Sequence, residues 1–398
     1  MRQYSLLLPL LGYLAAASAA CTVAEDGSDR GVEGVSGELV TAEFVDGLIL
    51  VEVTVGESSG WWILDSGYEY SLVDSAVAVG ARMELSDMET VDAPGGSVSQ
   101  QWATSGPLEV GRGAWSADSL AVLNFGGLSP FVGQPVAGLL GHDFFLDHVI
   151  TIDYAEGTVA IASPDAYTAP SSATEIPIWI EDEEPFALGI LWADGRSVPA
   201  KLKIDTGSFS GLGLNGSFVA QNRLVPPDWP RLEVTGVAVG GATRNFVARL
   251  DSLSFGGVVV SEPVVAWSED LTRNGDAGTL GAPILARFRV TFDYARMRMV
   301  VEPEAGAAEP EVWNAAGMLV VQPPGGEVMV AQVIPGGPAE AADLRPGDLI
   351  RRIGADAAAG MGLGNVRRHF RRPGTTDTLM VGRAGGEVTI ILEQKRLP

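Results

Sequence analysis

Apolar residues in this chain alternate or run in short stretches, and few of them recur at the 3.6-residue period of a helix. Residues 48–55 are apolar at nearly every position, residues 61–64 lead apolar into an aspartate, and residues 149–161 read as a hairpin turning at Glu156-Gly157. The same order of segments returns later in the chain. Helical candidates are short: residues 73–79, the segment after Gly141 and the segment after Gly281. This pattern predicts a mostly β protein with many turns, which 50 Gly and 24 Pro in 398 residues also favour. At that length two or three domains are expected.

The returning order has a fixed period. Ile63-Leu64-Asp65-Ser66-Gly67 is answered by Lys203-Ile204-Asp205-Thr206-Gly207, with the two aspartates 140 residues apart. Gly138-Leu139-Leu140-Gly141 is answered at the same offset by Gly278-Thr279-Leu280-Gly281, and Ile150 to Tyr154 by Val290 to Tyr294. Between these anchors Gly95 and Leu108 match Gly240 and Leu253 at an offset of 145, so the register slips by five and recovers. One Asp-Ser-Gly or Asp-Thr-Gly triplet is an ordinary turn sequence. Two of them inside a repeated frame imply a duplicated module with one aspartate from each copy.

Charge narrows the partners. A formal net charge of −24 and a pI near 4.4 repel phosphate backbones and anionic headgroups, so nucleic acid is not expected as a partner. Met1-Arg2, an apolar run and small residues through Ala20 read as a signal peptide over residues 1–20. The sole cysteine, Cys21, stands where that signal ends, so no intramolecular disulfide can form. Two cleavage readings stand: Ser18-Ala19-Ala20-Cys21 resembles a lipobox, which would lipidate Cys21 and attach the chain to a membrane, and Ala17-Ser18-Ala19 fits ordinary secretory cleavage. Residues 21–37 would form a tether. The expected location is exported: periplasmic, outer-membrane lipoprotein or secreted.

Two aspartates brought together cannot both ionise easily, and a pair sharing one proton can act as base and acid at once. An apolar strand entering Asp-[Ser/Thr]-Gly, then an apolar-apolar-Gly segment, in two copies, resembles the retropepsin and pepsin group of aspartic proteases. The resemblance spans about residues 38–304. It implies two pseudo-twofold-related β-barrel lobes, 38–165 and 166–304, with Asp65 and Asp205 catalytic. It further implies that Ser66, Gly67, Thr206, Gly207 and Ser208 support the catalytic loops, and that Gly-rich turns at Gly95-Gly96 and Gly240-Gly241 are flaps over substrate. One departure stands out: Tyr68 follows the first triplet where the family has Ala or Ser. Its ring is expected to crowd the cleft floor or fill a subsite, or else to join the core. No metal and no cofactor is expected, because His142 and Asp143 follow a glycine where the family starts a helix and the second copy has Ala282-Pro283 there.

After an Ala- and acid-rich linker the composition changes. Residues 328–350, with Gly336-Gly337-Pro338-Ala339 and Leu344-Arg345-Pro346-Gly347-Asp348-Leu349-Ile350, resemble a bacterial PDZ domain, expected over 313–398. By resemblance its peptide-binding loop and strand are Gly317, Met318, Leu319 and Val320, and residues 365–370 form the groove helix. Peptide C-termini would add to that strand edge. The cluster Arg367, Arg368, His369, Arg371 and Arg372 reads as a solvated helix face, with attraction of acidic peptides as the alternative. The function expected is an aspartic endopeptidase acting on peptides or unfolded proteins, its PDZ module recognising peptides or regulating the cleft. The alternative is an inactive scaffold of the same fold that binds peptides or partner proteins.

Overall fold

The computed structural model describes residues 37–93, 96–104, 106–238, 241–269 and 275–397. The signal, Cys21, Gly95 and Gly240 lie outside the described residues. The protein is mostly β, with 47% strand against 15% helix, arranged in several sheets.

Two large sheets repeat one strand order. In the first, the path runs from Gly113–Trp115 through Leu108–Val110, Leu48–Val55, Ser58–Leu64, Gly138–Leu140, Leu72–Asp74 and Leu120–Leu123 to Gly96–Thr104. In the second it runs from Val258–Ser261 through Ser252–Phe255, Glu184–Ala193, Arg196–Asp205, Gly278–Gly281, Leu212–Asn215 and Val264–Ser268 to Gly241–Arg249. In each sheet the central strand lies parallel to the aspartate-bearing strand and antiparallel to the short strand that follows it. The 140-residue repeat is therefore a repeat of three-dimensional structure.

A third, six-stranded sheet joins the two halves. At its middle Val149–Asp153 pairs antiparallel with Phe288–Asp293, placing Thr151 opposite Thr291. These hydroxyls, one from each copy, bond to each other at 2.9 Å. Self-pairing of equivalent residues is what a pseudo-twofold axis requires, and the axis passes here. The expected hairpin over 149–161 is the pair Val149–Asp153 and Thr158–Ala162, with Gly157 at φ 67° in the turn. One large core of buried apolar side chains, including Trp62, Leu64, Ile204 and Phe292, runs through both halves and the joining sheet.

The short helices fall close to the expected places. His142–Asp147 follows Gly141 and Ala282–Leu285 follows Gly281. The helix expected from residue 73 begins later, as Ser75–Gly80, because Leu72–Asp74 is taken into the sheet and Asp74 caps the helix through Ala76 N.

Residues beyond the linker form their own sheet, with Met318–Val321 at one edge, and their own core around Val330, Ile350, Val366 and Leu379. This unit does not hang free. Trp313, Ile334 and Leu397 share a buried cluster with Val234, Val247, Val264 and Ala266 of the second half. Arg249 reaches across to the carbonyls of Leu397 and Glu311 at 3.1 and 2.9 Å. Two members of the basic cluster depart from the solvated face expected, while Arg372 is exposed. Arg367 and Arg371 are buried against Asp46, which sits in a turn of the first half and bonds both guanidiniums. Asp46, which bonds both guanidiniums, offsets the burial of two like charges four residues apart.

Independence of the duplicated halves from the C-terminal unit thus meets a shared interface. Each buried aliphatic side chain there is worth roughly 1.5–3 kcal/mol. A chain ending at residue 304 is expected to keep its β content yet melt well below the full chain and bind a hydrophobic dye. Equal melting temperatures in calorimetry would show the interface to be energetically idle.

Candidate active site

Asp65 directly follows the strand Ser58–Leu64 and Asp205 ends the strand Arg196–Asp205, at 6% and 3% exposure. The strands deliver them to one place. A Cβ built on Gly67 would lie 2.5 Å from Asp205 Cγ, and one on Gly207 would lie 2.5 Å from Asp65 Cγ. Each loop glycine faces the other copy's carboxylate, and any side chain at either position would collide with it.

Crossed hydrogen bonds lock the two loops. Ser66 N donates to Thr206 Oγ1 at 2.9 Å and Thr206 N donates to Ser66 Oγ at 3.1 Å. Ser66 Oγ then donates to Ile204 O at 3.0 Å, and Thr206 Oγ1 to Leu64 O at 2.7 Å. All of these groups are buried, so loss of one hydroxyl orphans both a donor and an acceptor. The loops continue symmetrically: His142 N donates to Tyr68 O at 2.9 Å, and Ala282 N to Ser208 O at 3.0 Å. Ser208 Oγ accepts from Ser210 N at 3.3 Å.

Symmetry breaks in the charges. Burial, then the neighbouring Asp205 carboxylate, pushes Asp65 well above the usual carboxylate range, against the pull of Lys203 and of the Gly67 amide that donates to Asp65 Oδ1 at 2.9 Å. Lys203 is itself buried, with its ammonium 3.4 Å from Asp205 Oδ2, 3.3 Å from Gly67 O and 3.1 Å from Glu184 Oε1. The other oxygen of Asp205, Oδ1, is buried with no hydrogen-bond partner among the described residues. Tyr294 donates to Ser66 O at 3.2 Å, and burial beside Asp65 and Asp205 holds its hydroxyl neutral. The repeat-related Tyr154 hydroxyl has no partner among the described residues.

Lys203, Glu184 and Tyr294 are absent from the set expected on sequence grounds. A signal for Lys203 was visible: it stands where the first copy has Ile63, a charge in the last apolar turn of a strand leading to an aspartate. Glu184 carries no such mark, because its role depends on the strand pairing of Glu184–Ala193 with Arg196–Asp205.

Tyr68 is core. It is 6% exposed and clusters with Leu50, Ile63, Leu72, Phe125 and, from the second half, Phe209, while its ring meets Tyr70 edge-on at 5.6 Å. The expectation that it crowds a cleft floor is corrected accordingly. Two long hairpins stand where the Gly-rich turns were expected, Glu89–Ala93 with Gly96–Thr104 and Arg231–Ala238 with Gly241–Arg249, so Gly96 and Gly241 open the returning strands. Gln100 ties the first hairpin to the Asp65 loop through Tyr70 Oη at 3.4 Å.

In the C-terminal unit Gly317, Met318 and Val320 are buried and Leu319 partly so. Polar groups along this edge are already engaged. Asn314 Oδ1 accepts from Gly317 N and Met318 N, Asn314 Nδ2 donates to Met318 O, and Arg367 donates to Val320 O at 3.0 Å. Gln322 N donates to Pro130 O in the first half.

His142 has a buried Nδ1 without a partner among the described residues, and burial lowers its pKa; Asp143 instead accepts from Ser71 Oγ at 2.6 Å. Among the described residues no three His, Cys, Asp or Glu side chains converge as a metal site, and no helix is long and apolar enough to cross a membrane. Comparison with protein-family models and with curated proteins found no match for this chain.

Two outcomes follow from burial alone. Tyr68→Ala should cost about 3–5 kcal/mol in chemical denaturation, as for other large-to-small aromatic changes, whereas Tyr68→Phe should cost nothing because the hydroxyl it removes has no partner among the described residues. Selectivity changes without a stability loss would return the ring to a substrate-facing role. The second concerns pH. A carboxyl whose folded pKa is raised binds more protons folded than unfolded, so it favours folding below its unfolded value and that advantage is lost as pH rises through the folded pKa. Asp65→Asn should therefore gain thermal stability relative to wild type as pH rises above about 4. A melting-temperature difference that is flat in pH would contradict the raised pKa.

Proposed function

We propose that the chain is a single-chain, two-lobed aspartic endopeptidase of the retropepsin and pepsin kind, with lobes at 38–165 and 166–304 and a PDZ-like module at 313–398. The observation that carries this reading is the buried juxtaposition of two Asp-[Ser/Thr]-Gly loops, each glycine against the other loop's aspartate, locked by reciprocal Ser66 and Thr206 bonds.

The chemistry is hydrolysis of a peptide bond. With one proton shared by the pair, the ionised carboxylate takes a proton from water as its oxygen bonds to the carbonyl carbon. The protonated carboxyl gives its proton to the carbonyl oxygen. On collapse of the resulting diol the C–N bond breaks, and the nitrogen takes the proton that the first carboxylate had received from water. One diol hydroxyl re-forms the carbonyl by giving its proton to the other carboxylate, which restores the singly protonated pair. A raised pKa at Asp65 and, among the described residues, an unpartnered acceptor at Asp205 Oδ1 are two properties that suit such a site. The two long hairpins are proposed as flaps, and substrates as peptides or unfolded proteins.

The PDZ-like module is proposed to regulate or recruit. Its edge atoms at Gly317, Met318 and Val320 are bonded internally, so capture of a peptide C-terminus requires Asn314 and Arg367 to let go first. Asp46, which holds Arg367, would couple that release to the first lobe. Export and lipid attachment at Cys21 remain proposals from the sequence.

Asp65→Asn and Asp205→Asn should each abolish cleavage of an unfolded protein substrate, and the double variant should be little worse than either, because the pair acts as one unit. The rate should be bell-shaped in pH with its maximum on the acidic side of neutrality. One asparagine variant retaining near-normal turnover would overturn the shared dyad.

A further inference from the structure

We propose that Lys203 is a positioning residue that fixes the dyad's single proton on Asp65 and leaves Asp205 as the carboxylate that takes the proton from water. This rests on the peptidase reading above for its consequence, though not for its geometry. In a symmetric pair the shared proton has no preferred side, and the two roles are interchangeable. Here the environment differs on the two sides. The Lys203 ammonium lies 3.4 Å from Asp205 Oδ2, and it is anchored by Glu184 Oε1 at 3.1 Å and Gly67 O at 3.3 Å. The first copy has Ile63 at the matching position, fully apolar and buried, so Asp65 has no counterpart cation.

The charges facing this ammonium can be counted from each packed element. The neighbouring strand offers Glu184, its own strand offers Asp205, and the first-lobe loop offers Asp65. Those acidic neighbours outweigh burial, so Lys203 stays charged across the accessible pH range. Tyr294, close to both aspartates, stays neutral. His142, ring-to-ring with Tyr294 at 5.5 Å, is biased to neutrality by burial. Lys203 and Glu184 cancel, which leaves the dyad one negative charge to carry. The ammonium in ion-pair contact with Asp205 stabilises that charge there, and Asp65, which accepts from the Gly67 amide and makes no such contact with Lys203, keeps the proton.

The inference predicts opposite shifts from two substitutions. Replacing the pair by Lys203→Met with Glu184→Gln removes the cation and its counter-ion together, and the dyad's first ionisation should move up by about 1–3 pH units. Glu184→Gln alone leaves the cation unopposed, and the same ionisation should move down. Lys203→Arg retains the charge and should restore the wild-type profile more closely than Lys203→Met.

Carboxyl carbon-13 NMR titration of the full chain labelled at aspartate measures this without turnover, with Asp65→Asn and Asp205→Asn assigning the two signals. Expected in wild type is Asp205 ionised and Asp65 protonated over the intermediate range, with the acid limb of the cleavage profile tracking the same transition in each variant. Unchanged titrations in the double variant, accompanied only by a lower melting temperature, would make Lys203 purely structural and overturn the inference. If the double variant does not fold, the downward shift in Glu184→Gln decides alone. A wild type that cleaves nothing while its aspartates titrate as expected would instead remove the peptidase reading and keep the proton assignment.

Discussion

Two carboxylates are held together in a place where neither is at ease. Burial raises the cost of charging either one, and proximity raises it again for the second. Left to themselves the loops would part and hydrate both groups. They do not part because Ser66 and Thr206 bind each other's loops through four buried hydrogen bonds, two of which continue to the strand carbonyls Leu64 and Ile204. Each such bond is worth about 1 kcal/mol net, and breaking one costs more because its partner stays buried. Much else in the chain serves this junction: the joining sheet with its Thr151–Thr291 contact, the continuous core across both halves, and Tyr294 reaching from that sheet to Ser66 O.

Duplication explains how the junction arises, and departures from duplication explain what it can do. Backbone contacts are repeated nearly one for one, as the amides of His142 and Ala282 meeting the carbonyls of Tyr68 and Ser208 illustrate. Side chains are not. Ile63 is matched by Lys203, and one tyrosine hydroxyl of the Tyr154–Tyr294 pair finds an acceptor while the other finds none among the described residues. The symmetric frame sets distance, and on the proposed reading the unsymmetric charges would set the direction of proton flow. Tyr68 belongs to the frame: its ring fills the core that the second copy completes with Phe209.

The succession of strands along each copy and the short helices after Gly141 and Gly281 were legible because each rests on local pattern repeated at a constant offset, whereas the meeting of the two aspartate loops was an expectation from the family resemblance. What was hidden depends on residues far apart in sequence. Glu184 becomes a partner of Lys203 only through antiparallel pairing of neighbouring strands. Arg367 and Arg371 look like a solvated basic face until Asp46, more than 300 residues earlier, is folded against them. Within the C-terminal unit Asn314 engages Met318 from four residues away and Arg367 engages Val320, on an edge that the local sequence presents as free. Tyr68 was ambiguous because a ring after a catalytic-type glycine can face either way, and only the packing around it decides.

A statine-type inhibitor carries a hydroxyl that sits between two such carboxylates in place of the attacking water, so its binding tests the dyad without requiring the natural substrate. Titration calorimetry on the full chain is predicted to give one inhibitor bound per chain, with binding lost in both Asp65→Asn and Asp205→Asn. No binding to the wild type, or binding that survives one of the two substitutions, would contradict a site built jointly from both halves.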